Sequence, residues 1–139
     1  MSTDATSTTT QTVYPIVLYR DVDAALTWLR HALGVTEHAL HRDESGLVIH
    51  MELAWNGAVV MGGSLGTGSV TDDHAPVALY LVAEDPADID ALHARAAAAG
   101  AEIVRPPSDQ DYGSRDVIVR DPEGNDWCFG TYRPTSPAR

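Results

Sequence analysis

A chain of 139 residues, 44% hydrophobic and 21% charged, is long enough for one domain with a core of its own. Its formal net charge of −11 argues against a nucleic-acid partner, whose phosphates demand a basic face, and against an anionic membrane surface. The single cysteine, Cys128, leaves no internal disulfide and fits a reducing cytoplasm.

Residues 1–12 are polar and Ser/Thr-rich, with neither a basic start nor an apolar run; they read as a disordered tail, not a signal peptide or membrane span. Residues 13–19 form a short apolar run and predict a first strand. Asp21 then N-caps a helix. Ala24, Ala25, Trp28, Leu29 and Leu33 recur at helical spacing until Gly34 ends it. A hairpin follows, residues 47–55 and 58–62, turning at Asn56-Gly57, a dipeptide that accepts the left-handed positions of a tight turn. Alternation places Ile49, Met51, Leu53 and Trp55 towards the helices and Val48, His50, Glu52 and Ala54 on the opposite face. Residues 62–73, rich in Gly and Ser, predict a linker.

The second half repeats this plan. Residues 77–82 predict a strand, Asp85-Pro86 opens a helix, Ile89, Leu92 and Ala96 form its apolar stripe, and Gly100 stops it. The last hairpin turns at Arg120-Asp121-Pro122-Glu123-Gly124-Asn125. There Pro122 presets φ, Gly124 takes a positive φ and Asn125 tolerates the left-handed region. Gly34 and Gly100 lie 66 positions apart, and Gly57 and Gly124 lie 67 apart. This duplication predicts two tandem strand-helix-strands units, 13–65 and 75–133, in one domain with a tail at 134–139. In the last strand Trp127 and Phe129 face the helices, leaving Asp126, Cys128 and Gly130 on the other side. If the sheet curves with helices outside, that side becomes a concave cavity. Trp28, Trp55, Trp127 and Phe129 read as core.

The duplicated module, the 120–125 turn and the helix entry Asp21-Val22-Asp23-Ala24-Ala25-Leu26 resemble the vicinal oxygen chelate superfamily of glyoxalases, bleomycin-resistance proteins and extradiol dioxygenases. The resemblance runs from Val13 to Tyr132. It implies an α+β fold of two tandem βαβββ modules forming cupped mixed sheets with helices outside, usually within a homodimer. Metal-dependent members carry one ligand near the start of each module's first strand and another on the last strand of its hairpin. Carried over by spacing, these positions are Tyr14, Met61, Pro76 or Val77, and Cys128. A hard divalent cation needs oxygen or imidazole donors, which such a set hardly supplies. The resemblance therefore points to the metal-free, bleomycin-resistance-like subgroup. Its members hold a drug or natural product in a cavity without metal or cofactor, conferring antibiotic resistance by sequestration.

Eight residues are expected to contact that ligand. Tyr14 and Met61, at former metal positions, form a ligand-contacting floor, and Cys128 lines it as a small hydrophobe. His50 and Glu52 share one strand face as a polar wall. Tyr112, Arg115 and Asp116 lie on a lip that could close over the ligand. Arg115 would then pair an anionic or carbonyl group, or else bridge at the surface to Asp116 or Asp111. The net charge favours a cationic ligand. No catalytic residue is assigned. The alternative is an enzyme: a metal-dependent lyase, isomerase or dioxygenase with His50, Glu52 and His74 as unorthodox ligands, or a metal-free one using Tyr14, Asp116 or Cys128 as acid or base. A third reading is a regulatory or partner-binding module with a collapsed, ligand-free cavity. His31, His38, His41 and His93 read as surface residues.

Overall fold

The computed structural model describes residues 11–67, 75–135 and 137. Strand β1 (Ile16–Tyr19) leads into helix α1 (Val22–Trp28), prolonged by a π-helical turn at Leu29–Leu33. Strands β2 (Thr36–Arg42), β3 (Val48–Trp55) and β4 (Ala58–Ser64) complete the first module. The second is β5 (Ala78–Val82), α2 (Pro86–Ala98), β6 (Glu102–Asp109), β7 (Arg115–Arg120) and β8 (Asp126–Gly130). The sheets run β1-β4-β3-β2 and β5-β8-β7-β6, with β1–β4 and β5–β8 parallel and the other pairs antiparallel. This is the expected α+β pair of βαβββ modules.

Local chemistry fixes the elements. The Asp21 carboxylate accepts the Ala24 N–H at 3.0 Å to start α1, and Gly34 at φ 72° ends the π-helical turn. Asp85 and Asp88 form a reciprocal capping box, with Pro86 at the start of α2. Asn56 and Gly57 take φ 47° and 81°, the paired positive values of the tight hairpin turn.

The helix-facing sides of both sheets share one core. Leu29, Leu33, Met51 and Leu53 pack in the same cluster as Ile89, Val117, Val119, Trp127 and Phe129. Trp55 meets Phe129 with ring centroids 4.8 Å apart.

The 120–125 turn ties the modules together. Asp121, 4% exposed, accepts from Tyr19 Oη at 2.6 Å, Trp127 Nε1 at 3.1 Å and the backbone N–H groups of Glu123 and Asn125. The Glu123 carboxylate accepts the backbone N–H of Arg20 at 2.7 Å and of Asp21 at 3.0 Å. Burial, reinforced by the Asp121 carboxylate, pushes the Tyr19 phenol far above its ordinary range.

Several expectations are corrected. The first strand begins at Ile16, not at 13. Before it, the Gln11 side-chain amide bonds both backbone groups of Val59. Ile49 is 39% exposed, whereas Val48 is in the core. His41 and Arg42 oppose His50 and Val48, so Ile49 is an extra residue, and this bulge reverses the alternation below it. Gly62 and Gly63 belong to β4, not to a linker. Asn125 does not take a left-handed φ. Instead its side chain donates to Asp121 and accepts the Val77 N–H at 3.0 Å. Most of the predicted N-terminal tail, and His74, lie outside the described residues. No helix among the described residues is long and apolar enough to cross a membrane.

Candidate ligand-binding faces

With the helix-facing residues in the core, the opposite faces of the two sheets carry six of the eight expected site residues. On the first sheet Met61 pairs with Ile16 on β1 and with Glu52 on β3, and Glu52 pairs with Ala39 on β2. Ile16, Met61, Glu52 and Ala39 therefore form one row across the face. His50 follows on the same strand, opposite His41, with the two rings 5.8 Å apart. His50 Nε2 lies 2.9 Å from Glu52 Oε2, and this contact holds the Glu52 carboxyl below its usual range. Tyr14 precedes β1 and is exposed. Ile16, and not Tyr14, is thus the β1 residue paired with Met61.

On the second sheet Cys128 pairs with Tyr80 on β5 and Ile118 on β7, and Ile118 pairs with Arg105 on β6. The neighbouring row holds Ser108, Asp116, Gly130 and Val82. Asp116 is only 2% exposed. It accepts from Ser114 Oγ and, at 3.2 Å, from Tyr112 Oη, and Arg105 lies 3.7 Å away. Ser114 Oγ in turn accepts the backbone N–H groups of Thr131 and Tyr132. Tyr80 Oη donates to the Tyr132 carbonyl at 2.9 Å, and the Tyr112 and Tyr132 rings meet edge to face at 5.4 Å. Burial, then the Asp116 charge, pushes the Cys128 thiol up to about 11.

The structure thus gathers Tyr112, Asp116 and Cys128 on one face and His50, Glu52 and Met61 on the other. Arg115 joins neither. It shares the side of β7 that carries Val117 and Val119, and its guanidinium bonds Asp90 of α2 and Asp109 at 2.9–3.2 Å. Sequence reasoning missed Tyr80 and Arg105. The 66-residue offset sets Tyr80 against Tyr14, whereas Tyr80 holds beside Cys128 the place that Ile16 holds beside Met61, a register that spacing does not fix. Arg105 reaches the face because β6 carries an extra residue at Val104.

These rows do not fit a hard divalent cation. Met61 is flanked by Ile16 and Glu52, and Cys128 by Tyr80 and Ile118. Among the described residues, no three His, Cys, Asp or Glu side chains come together to hold one. Of the pockets among the described residues, one lies on the helix side and another borders the second face at Tyr80 and Val82. The first, of about 450 Å³, is lined by Trp55, Leu92 and Arg95. The second, of about 440 Å³, runs between Val13, Val59 and the open edge of β5, where Tyr80 borders it. The donors and exposed rings of the two faces outweigh these pockets as candidate chemistry.

A duplicated βαβββ unit presenting two open sheet faces defines a class of fold and site. The chain belongs to the Glyoxalase/Bleomycin resistance protein/Dioxygenase superfamily, whose family model matches residues 11–129. It is 30% identical over 125 residues to an uncharacterized protein of Mycobacterium bovis, covering 84% of this chain and 80% of that one. Among solved structures it resembles TioX from Micromonospora sp. ML1, with TM-score 0.70 and 31% identity over 86% of this chain and 98% of that one. It shares the fold of a lactoylglutathione lyase from Agrobacterium tumefaciens, with TM-score 0.69 and 18% identity over 89% and 95% of the two chains.

Proposed function

We propose that this protein binds a small organic ligand, a drug or natural product, and acts by sequestering it without metal or cofactor. The observation carrying this is the make-up of the two central rows. Ile16 and Met61, and Tyr80, Cys128 and Ile118, put apolar and aromatic groups where metal chemistry needs hard donors. A thiol pushed up to about 11 stays protonated at neutral pH, so Cys128 is a poor base for the metal-free enzyme reading. The faces are open in a single chain, with Ile16 and Tyr80 exposed, which favours a homodimer whose second copy closes them. Thermal denaturation with a panel of planar aromatic natural products, beside metal analysis of the purified protein, tests the reading. Ligand at a hundred times its Kd adds about 2.7 kcal/mol, a readily measured rise in Tm, and chelator leaves that rise unchanged. A stoichiometric divalent ion whose removal lowers Tm would sink the proposal, as would indifference to every ligand.

A further inference from the structure

We infer that Arg105 sets specificity on the second face, taking a carboxylate or carbonyl carried on a planar aromatic ring. This rests on the ligand-binding reading and names the ligand's chemistry. Arg105 shares its side of the sheet with Ile118, Cys128 and Tyr80. Among the described residues its guanidinium makes no hydrogen bond, and its ion-pair partner, Asp116 Oδ2, lies 3.7 Å away, beyond hydrogen-bond reach. By contrast, carboxylates hold Arg42, Arg115 and Arg120 at 2.7–2.9 Å. Asp116 is already engaged by Ser114 and Tyr112, and Ser114 is anchored on the backbone of Thr131 and Tyr132. The buried carboxylate therefore offsets the Arg105 charge while leaving its N–H groups free. A fork of that kind suits a planar, two-oxygen acceptor.

The rings beside it suit the rest of such a ligand. Tyr80 stands directly across from Cys128, and Tyr112 and Tyr132 form an edge-to-face pair next to it. Gly130 makes this crowding possible: a Cβ there would meet Asp116 Oδ1 and lie 2.5 Å from Tyr80 Oη. The net charge of −11 runs against an anion at long range. That field is screened over about 8 Å at physiological salt, so the contact with Arg105 decides.

Titration calorimetry on the full chain with 2-naphthoate, 2-naphthylmethanol and 2-naphthylmethylammonium tests this. The wild type is expected to bind naphthoate at least roughly tenfold more tightly than the ammonium probe. Arg105→Gln should bring all three probes within about twofold of one another, and Arg105→Lys should restore part of the preference. Arg30→Gln, which removes the same charge from an exposed pair with Glu37, should leave the order intact. Unchanged preference in Arg105→Gln, or a wild-type preference for the ammonium, overturns the assignment. If the alcohol binds and naphthoate binds no better, the binding function stands and this inference fails. If no probe binds, this inference fails, and the natural-product panel decides the binding function separately.

Discussion

Replacing Asp121 strands a set of buried donors at once. Tyr19 Oη, Trp127 Nε1 and two backbone N–H groups all depend on its carboxylate. Leaving several buried donors unmade costs more than one hydrogen bond, so Asp121→Ala should destabilise the protein by ~3 kcal/mol in urea denaturation. Tyr19→Phe removes one donor and leaves the others served, so its loss should be nearer 1 kcal/mol. Equal losses would mean that the network is not centred on Asp121. Cys128 gives a second test at this scale. Its thiol is raised from 9.0 to about 11, so the folded state holds that proton more tightly than the unfolded chain does. Its contribution to stability is therefore complete below about pH 9 and is lost as pH climbs towards 11. At pH 8 only about one thiol in a thousand is thiolate. Alkylation by iodoacetamide should thus be slow in the folded protein and rise about tenfold per pH unit up to pH 10. Rapid reaction at pH 8 would show an activated thiol and revive the enzyme reading.

Within the elements, the parallel contact of β1 with β4 depends on a missing side chain. Val17 faces Gly62, and a Cβ at Gly62 would strike the Val17 carbonyl oxygen and lie 2.6 Å from Met51 Cε. Met51 can swing aside, but the backbone carbonyl cannot without breaking the strand pairing. Gly62→Ala should therefore cost ~3 kcal/mol by chemical denaturation. Gly57→Ala, at φ 81° with open space around it, should cost less, about 1 kcal/mol of backbone strain. The reverse order would mean that the sheet tolerates a shifted β1. The sequence showed the turns, caps and repeat because each is local: Asp21, Asn56-Gly57, Asp85-Pro86 and Gly124 act within a few residues of themselves. It hid Arg105 and misplaced Ile49 because a bulge is a mismatch between two strands, and neither strand records it alone. It likewise put Arg115 on the lip, since nothing local says that Asp90 of α2 will hold it on the helix side. Met61 and Cys128 were placed by the repeat, but their β-strand partners Ile16 and Tyr80 follow from a register that spacing alone does not fix.

Across the whole molecule, the two modules are joined by more than the chain between them. Their helix-facing sides contribute to one apolar cluster, in which Trp55 of the first module packs on Phe129 of the second. Asp121 and Glu123 reach back to Tyr19, Arg20 and Asp21. Arg95 of α2 bonds the carbonyls of Arg30 and His31 at the C-terminal end of the first module's helix. A module separated from its partner would expose half of that core, and its own sheet has few other apolar residues with which to cover it. The modules should therefore unfold as one unit, despite their internal symmetry. Tryptophan fluorescence and far-UV circular dichroism should give coincident midpoints in urea, and residues 75–133 expressed alone should lack a cooperative transition. Asp121→Ala should lower the common midpoint without splitting it, because the Trp55–Phe129 contact and the shared core remain. Two separated transitions in the wild type, or a folded second module on its own, would show that each half carries an independent core and that the turn at Asp121 merely joins finished domains.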